Sequence, residues 1–242
     1  MSARAAPDWL ARHTYAHRGL HSAETAENSR SAILGAINAG FGIECDVQMS
    51  RDNVPMVFHD WELDRLTTES GAVAERSAEA LSRIALGTSD DTLWTLAQML
   101  ESVAGRVPIL VEVKSQAGFN IDAACTAIQA VIEGYRGQIA VMSFDPRMGK
   151  WFAENSPNTA RGLVCTDTLD LGFLHAWRQP QALERAQPHF LAFDIRDLPN
   201  AVSSVWREAG RPLLTWTVRT HALREKAAAH ADAAIAEGEG IA

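Results

Sequence analysis

Apolar and polar positions along the chain fall into two alternating rhythms. Eight short segments read as strands: residues 14–18, 43–48, 109–113, 139–143, 161–165, 189–194, 213–217 and 233–236. Each is a compact apolar or alternating run of the kind a buried strand shows. Between them the apolar spacing lengthens to the helical period. Ile33, Leu34 and Ile37 share one face of a helix that Asn28 can cap and that runs towards Gly40. Leu96, Met99, Leu100 and Val103 recur at helical spacing, with Gly105 as a stop. Asn120 precedes Ile128, Val131 and Ile132, and Gly134 follows them. Asp145-Pro146 and Leu198-Pro199 put proline where a first helical position accepts it. Gly210 ends the second of these helices, and Thr220 caps the last one.

Strand and helix in alternation along the whole chain argue for a parallel sheet with crossover helices. Eight repeats in 242 residues predict an α/β protein, a single (β/α)8 TIM barrel forming one domain over 1–242. An open doubly wound sheet is the competing arrangement, and no G-x-G-x-x-G or Walker pattern supports its nucleotide-binding form. One segment breaks the alternation. Asp52-Asn53 is a turn signal between two extended runs, so residues 55–59 should fold back beside the second strand. The polar stretch that follows predicts a small insertion after the second strand, at about 50–92.

Hydrophobic residues make up 47% of the chain, enough for a large core, which excludes a disordered protein. No apolar run approaches the roughly 20 residues that span a bilayer, so no stable membrane insertion is expected. The first residues carry Arg4, Asp8, Arg12 and His13 and no apolar signal core, which points to a cytoplasmic location. A net charge of −8 argues against nucleic-acid or anionic-membrane partners, yet leaves room for a local basic site holding one phosphate. Cys45, Cys125 and Cys165 are widely spaced, with no C-x-x-C, and read as buried thiols in a reducing compartment.

Side chains alternate between the faces of a strand. In the second strand Ile43, Cys45 and Val47 share one face and Glu44, Asp46 and Gln48 the other. The helix-covered outside of a barrel is apolar, so Glu44 and Asp46 should point inward near the C-terminal mouth. Val111 and Val113 repeat the layout, with Glu112 and Lys114 facing in. Three converging carboxylates repel one another unless a cation sits among them. All-oxygen ligation suits one divalent hard ion, Mg2+ or Ca2+. A polar edge strand is the plain alternative for Glu44 and Asp46 taken alone.

His17-Arg18-Gly19 closes the first strand, at the end where such barrels place their active sites. His17 can move protons near neutral pH and Arg18 can hold an anionic oxygen. His59, after the hairpin, is a second proton-transfer candidate. A divalent ion with Arg18 and Lys114, set against three carboxylates, gives the mouth a net charge of about +1, which attracts a phosphodiester. Trp216 shares a face with Leu214 and Val218 and reads either as core or as a wall for the apolar part of a substrate. His13, His21, His175, His189, His221 and His230 lack a comparable setting and read as solvated or packed, although His21 is near enough to His17 to reach the mouth.

Taken together, Ala16-His17-Arg18-Gly19, Glu27-Asn28-Ser29, Ile43-Glu44-Cys45-Asp46-Val47, Val57-Phe58-His59-Asp60, Leu63-Asp64-Arg65-Leu66-Thr67, Val111-Glu112-Val113-Lys114, Ser143-Phe144-Asp145 and Thr215-Trp216-Thr217-Val218 resemble the glycerophosphodiester phosphodiesterase family, among the phospholipase C-like phosphodiesterase barrels. The resemblance runs from about Tyr15 to Val218. It implies a divalent ion on Glu44, Asp46 and Glu112, acid–base work by His17 and His59, and phosphate contacts from Arg18 and Lys114. The implied substrate is a small glycerophosphodiester, cleaved to sn-glycerol 3-phosphate and an alcohol. A lysophospholipase D-like activity on lipids and a non-catalytic barrel that binds phosphorylated ligands are the alternatives. Three positions depart from the family pattern: Ala26 stands for proline, Arg219 for asparagine, and Ala234-Ile235-Ala236-Glu237-Gly238 for a strand ending in Thr-Asp.

Overall fold

The computed structural model describes residues 5–87, 89–116, 118–167 and 181–241. His175 lies outside them. Eight parallel strands close into a ring: β1 (Tyr15–Ala16), β2 (Gly42–Met49), β5 (Ile109–Val113), β6 (Ile139–Ser143), β7 (Ala160–Cys165), β8 (Phe190–Asp194), β9 (Leu213–Val218) and β10 (Ala233–Ala236). Closure comes from β1, which pairs with β10 through Tyr15 and Ile235 and with β2 through Tyr15 and Gly42. The arrangement is the (β/α)8 barrel, and the Ala-rich last segment is a true barrel strand.

Two apolar layers follow from the two-residue alternation. Ile43, Cys45, Val47, Val111, Val113, Leu191 and Phe193 point outward into one cluster with the helices. That cluster includes Ile33 and Ile37 from α1 (Arg30–Ala39), Met99 and Val103 from α3 (Leu96–Val103), and Cys125 and Ile128 from α4 (Ile121–Ile132). Tyr15, Leu110, Ala140, Val164, Phe190, Ala192, Leu214 and Ile235 form a separate inner cluster. Leu10, from the short turn before β1, joins it and is fully buried, and its carbonyl accepts the Tyr15 hydroxyl at 3.1 Å. This segment closes the N-terminal end of the barrel, where burying one Leu contributes roughly 1.5–3 kcal/mol. The C-terminal half of the interior is left to polar side chains.

Antiparallel to the last three residues of β2 runs β3 (Pro55–Val57), and β3 pairs in turn with β4 (Trp94–Thr95). Asn53 takes a positive φ of 57° at the turn. Between these strands the chain builds α2 (Ala78–Leu81) and a small core of its own, with Met56, Phe58, Leu63, Val73, Leu81 and Leu93 buried together.

Several local expectations need correction. Ser29, not Asn28, caps α1, accepting the Ala32 N–H at 3.1 Å. Asn28 sits at φ 58° with its side chain spent on Asp46. The stop of α3 is Ala104, left-handed at φ 50°, one residue before Gly105. Pro199 is not at a first helical position. Asn200 caps α7 (Ala201–Glu208) with Ser203 as its reciprocal partner, so Pro199 stands outside the helix. Asp145-Pro146 does start α5 (Pro146–Asn155) as expected, and Thr220 caps α8 (His221–His230). Trp216 shares the inner side with Leu214 but not with Val218, which packs in the outer cluster. The ladder between β9 and β10 shifts register at Ala234/Ala236, and the alternation of faces breaks there.

Candidate functional site

The mouth is assembled from the strand ends and the loops just past them. On β2, Glu44 and Asp46 face inward and are each only 2% exposed. The β2–β5 register sets Asp46 directly beside Glu112. One carboxylate oxygen from each of Glu44, Asp46 and Glu112 lies within 4.8 Å of the others. Burial, and then the charges of Asp46 and Glu112, push the Glu44 carboxyl well above its ordinary range. Burial acts on Asp46 in the same direction, but Lys114, Arg18 and both His59 and His17 outweigh it and hold Asp46 low. Lys114 Nζ lies 3.0 Å from Glu112 Oε1 and 3.4 Å from Asp46 Oδ1. These two carboxylates raise the Lys114 ammonium above its usual range against the opposing pull of burial.

This chemistry fits a hard divalent cation. The donors are all oxygen, Glu44 and Asp46 are buried with Glu112 half-buried beside them, and the charges of its neighbours raise the Glu44 carboxyl. Two cations already reach the rim of the cluster. Arg18 donates its backbone N–H to Glu44 Oε2 at 3.1 Å, and its guanidinium Nε lies 3.1 Å from Asp46 Oδ2. Arg18 and Gly19 both take positive φ, 54° and 78°, which turns the Arg18 amide inward. Gly19 is needed for a second reason: a Cβ there would fall 2.8 Å from the Ala32 carbonyl carbon.

The Glu27-Asn28-Ser29 stretch is a bracket for these groups. Glu27 Oε1 accepts Arg18 Nη1 at 2.7 Å and Arg65 Nη2 at 2.7 Å. Asn28 Nδ2 donates to Asp46 Oδ2 at 3.0 Å, while the Asp46 amide donates back to Asn28 Oδ1 at 3.3 Å. Trp94 Nε1 ties down the Asn28 carbonyl at 2.9 Å. Arg65 extends the network to Asp60, whose Oδ2 accepts Arg65 Nε at 2.5 Å. Asp60 Oδ1 in turn lies 2.6 Å from His59 Nδ1.

His17 has a matching carboxylate. Its Nδ1 is hydrogen-bonded to Glu237 Oε2, at the end of β10. His21 Nε2 approaches the same oxygen at 3.3 Å, and Arg219 Nε donates to Oε1 at 2.6 Å. His17 and His21 outweigh the cost of burial and hold the Glu237 carboxyl far below its usual range, so it accepts and His17 Nδ1 carries the proton. The His17 Nε2 lone pair is thereby left available. Burial dominates at His17 and lowers its pKa, although Glu237 opposes the shift.

His17, Arg18, His59, Glu112, Lys114 and Trp216 all open into one cavity of about 850 Å3. Trp216 Nε1 donates to the Ala192 carbonyl at 2.9 Å, and its ring meets Phe144 edge-on at 5.5 Å. The indole is therefore both packed and part of the wall. Sequence reasoning missed Glu27, Asp60, Arg65 and Glu237 as site residues. They add three carboxylates, and Arg65 and Arg219 add two guanidiniums, so the local net charge falls from about +1 to about zero. Attraction of an anion then rests on donors aimed into the cavity rather than on net charge. The strand-like stretch around Phe58-His59-Asp60 was the available signal for Asp60. Of the other histidines, His21 does reach the mouth, and His189 Nδ1 is packed against the Arg161 amide at 3.2 Å.

A parallel barrel with buried carboxylates, two carboxylate-backed histidines and basic groups around one cavity is a barrel hydrolase built for an anionic substrate. The glycerophosphoryl diester phosphodiesterase family matches residues 17–237, and the chain belongs to that family. The glycerophosphodiester phosphodiesterase of Caldanaerobacter subterraneus is 26% identical over 213 residues, covering 84% of either chain. Among solved structures, an Oleispira antarctica phosphodiesterase in complex with the product sn-glycerol-3-phosphate superposes with a TM-score of 0.81 at 22% identity, over 93% of this chain and 92% of that one. The glycerophosphodiester phosphodiesterase of Thermotoga maritima gives 0.74 at 24% identity, over 94% and 95%.

Proposed function

We propose that the protein hydrolyses small glycerophosphodiesters to sn-glycerol 3-phosphate and an alcohol by two-histidine acid–base catalysis. The observation that carries the reading is the convergence of His17, His59, Arg18, Glu112 and Lys114 on a single cavity. The product bound to the Oleispira antarctica relative supports the same substrate class. Glu44, Asp46 and Glu112 would hold one Mg2+ or Ca2+, which supplies Lewis-acid polarisation of a phosphate oxygen and lowers the pKa of the glycerol 2-hydroxyl.

His17 is the base of the first step. It is neutral, and Nε2 takes the 2-hydroxyl proton as that oxygen attacks phosphorus. His59, more open at the cavity with its side chain 29% exposed, protonates the departing alkoxide. The resulting cyclic phosphate is opened by water with the roles reversed. Arg18 and Lys114 stabilise the charge that builds on the equatorial oxygens. Trp216 and Phe144 form the apolar wall for the carbon skeleton. Among the described residues no helix is long and apolar enough to cross a membrane. The three free, buried cysteines are consistent with work in the cytoplasm.

The test is release of glycerol 3-phosphate from glycerophosphocholine and glycerophosphoethanolamine, metal-stripped and with Mg2+ or Ca2+ restored. His17→Ala and His59→Ala should each lose at least about 100-fold in kcat, and Glu44→Ala should lose the turnover that added Mg2+ or Ca2+ restores. Near-normal turnover by either histidine variant would overturn its role.

A further inference from the structure

A second group of ligand-type side chains stands beside the carboxylate cluster and differs from it in chemistry. Ligand atoms of His17, His21 and Glu237 all lie within 4.8 Å of one another. Two imidazole nitrogens and one carboxylate oxygen form a set that prefers a borderline ion such as Zn2+ over Mg2+ or Ca2+. The three side chains are preorganised: Glu237 Oε2 is already shared between His17 Nδ1 and His21 Nε2. Glu237 Oε1 is fixed by Arg219 at 2.6 Å, a supporting contact that would persist with Oε2 on a metal. All three are sheltered, with side chains 11%, 22% and 18% exposed in the order His17, His21, Glu237. His17 and Arg219 also line the cavity, so the cluster stands directly beside the substrate space.

We propose that His17, His21 and Glu237 form a zinc site whose occupation switches the enzyme off. The consequence for turnover rests on the role given to His17 above; the binding does not. Without zinc, the His17 ring proton sits on Nδ1, facing Glu237, and Nε2 is an acceptor. A Zn2+ on Nδ1 uses that nitrogen's lone pair, so the single proton of the neutral ring passes through solvent to Nε2. Nε2 is then a donor and cannot take the substrate's proton. No covalent bond to substrate is involved, and chelation reverses the effect. Mg2+ at Glu44, Asp46 and Glu112 occupies different ligands, so inhibition should not be relieved by more Mg2+.

The experiment uses Zn2+ itself as the probe, with Mg2+ saturating. Equilibrium dialysis should find one tightly held Zn2+ per wild-type chain and the same in Glu112→Gln. His21→Asn should bind it at least about tenfold more weakly, the low end of what loss of even a supporting partner costs. Co2+ in place of zinc should give intense visible d–d bands of a low-coordinate site with wild type, and at the same concentration much weaker ones with His21→Asn. In the activity assay, zinc should inhibit wild type regardless of Mg2+ concentration. Whatever turnover His21→Asn retains should need at least about tenfold more zinc for the same fractional inhibition. Equal zinc binding by His21→Asn, zinc released by Mg2+, or zinc bound without inhibition each overturns the proposal. Should His21→Asn lose basal turnover, the wild-type dialysis and Mg2+ competition decide alone. A chain with no turnover on any glycerophosphodiester would instead sink the reaction while leaving the dialysis result to stand.

Discussion

Lys114 is the group whose removal most directly tests the electrostatics of the mouth. Its ammonium faces Glu112 at 3.0 Å and Asp46 at 3.4 Å, with only 14% of its side chain exposed. At an effective dielectric of 20, each contact is worth about 5 kcal/mol before desolvation is counted. Measured losses on breaking a buried pair are smaller, about 3–5 kcal/mol, because the remaining groups relax or protonate. Lys114→Met keeps the stem and deletes the charge. In metal-stripped protein it leaves Glu44, Asp46 and Glu112 facing Arg18 and the two histidines, His17 and His59. For a chain of this size about 3–5 kcal/mol corresponds to a drop of roughly 6–20 °C in Tm.

The same deletion makes the cluster more negative, so it should hold a divalent cation more tightly. Mg2+ at 100 times its Kd adds about 2.7 kcal/mol to the folded state. Calorimetry with and without Mg2+ should therefore show a larger Mg2+-induced rise in Tm for Lys114→Met than for wild type, while kcat falls. A pH series sharpens the test. The Glu44 carboxyl is already raised, so on acidification it takes up a proton and relieves the repulsion. The stability deficit of the variant should thus shrink towards low pH and grow towards high pH. A metal-stripped variant as stable as wild type, with the same response to Mg2+, would refute the claim that Lys114 neutralises the cluster.

Other perturbations separate the supporting contacts. Glu237→Gln removes the carboxylate that raises the His17 pKa against burial. The acid limb of the kcat profile, set by the neutral base, should move to lower pH; an upward move or none would contradict the pairing. Asn28→Gly accepts φ 58° and deletes the amide donor 3.0 Å from Asp46 without changing the charge of the cluster. Mg2+ affinity, read by titration calorimetry, should fall by about 10–100-fold, and unchanged affinity would remove Asn28 from the metal's support.

What the sequence made legible follows from where the determining contacts lie. The eight barrel strands and the inward set of Glu44, Asp46 and Glu112 are written in a two-residue alternation, a property of neighbouring positions. The hairpin after β2 was visible for the same reason. The helix start at Asn28-Ser29 was not, because both residues are good caps locally and the choice is made elsewhere. Buried Asp46 needs a donor, Asn28 supplies it, and Ser29 is left to cap. The carboxylate behind His17 and the one that brackets Arg65 were hidden by distance along the chain. Glu237 lies 220 residues from His17, and Glu27 lies 38 residues from Arg65.

Two of the three departures from the family pattern turn out to be one feature. Arg219 and Glu237 come from the ends of adjacent strands, β9 and β10, and meet at 2.6 Å. The Arg219 side chain is 57% exposed, so the pair itself adds at most about 1 kcal/mol to stability. Its effect is geometric. With Oε1 held by Arg219, the carboxylate plane is set and Oε2 is aimed at His17 and His21. A Glu reaches one methylene further than the usual Asp, and the arginine takes up the freedom that the extra methylene introduces. Together Arg219 and Glu237 hold the His17 ring with its proton on Nδ1, so the support of that histidine comes from the ends of two adjacent strands.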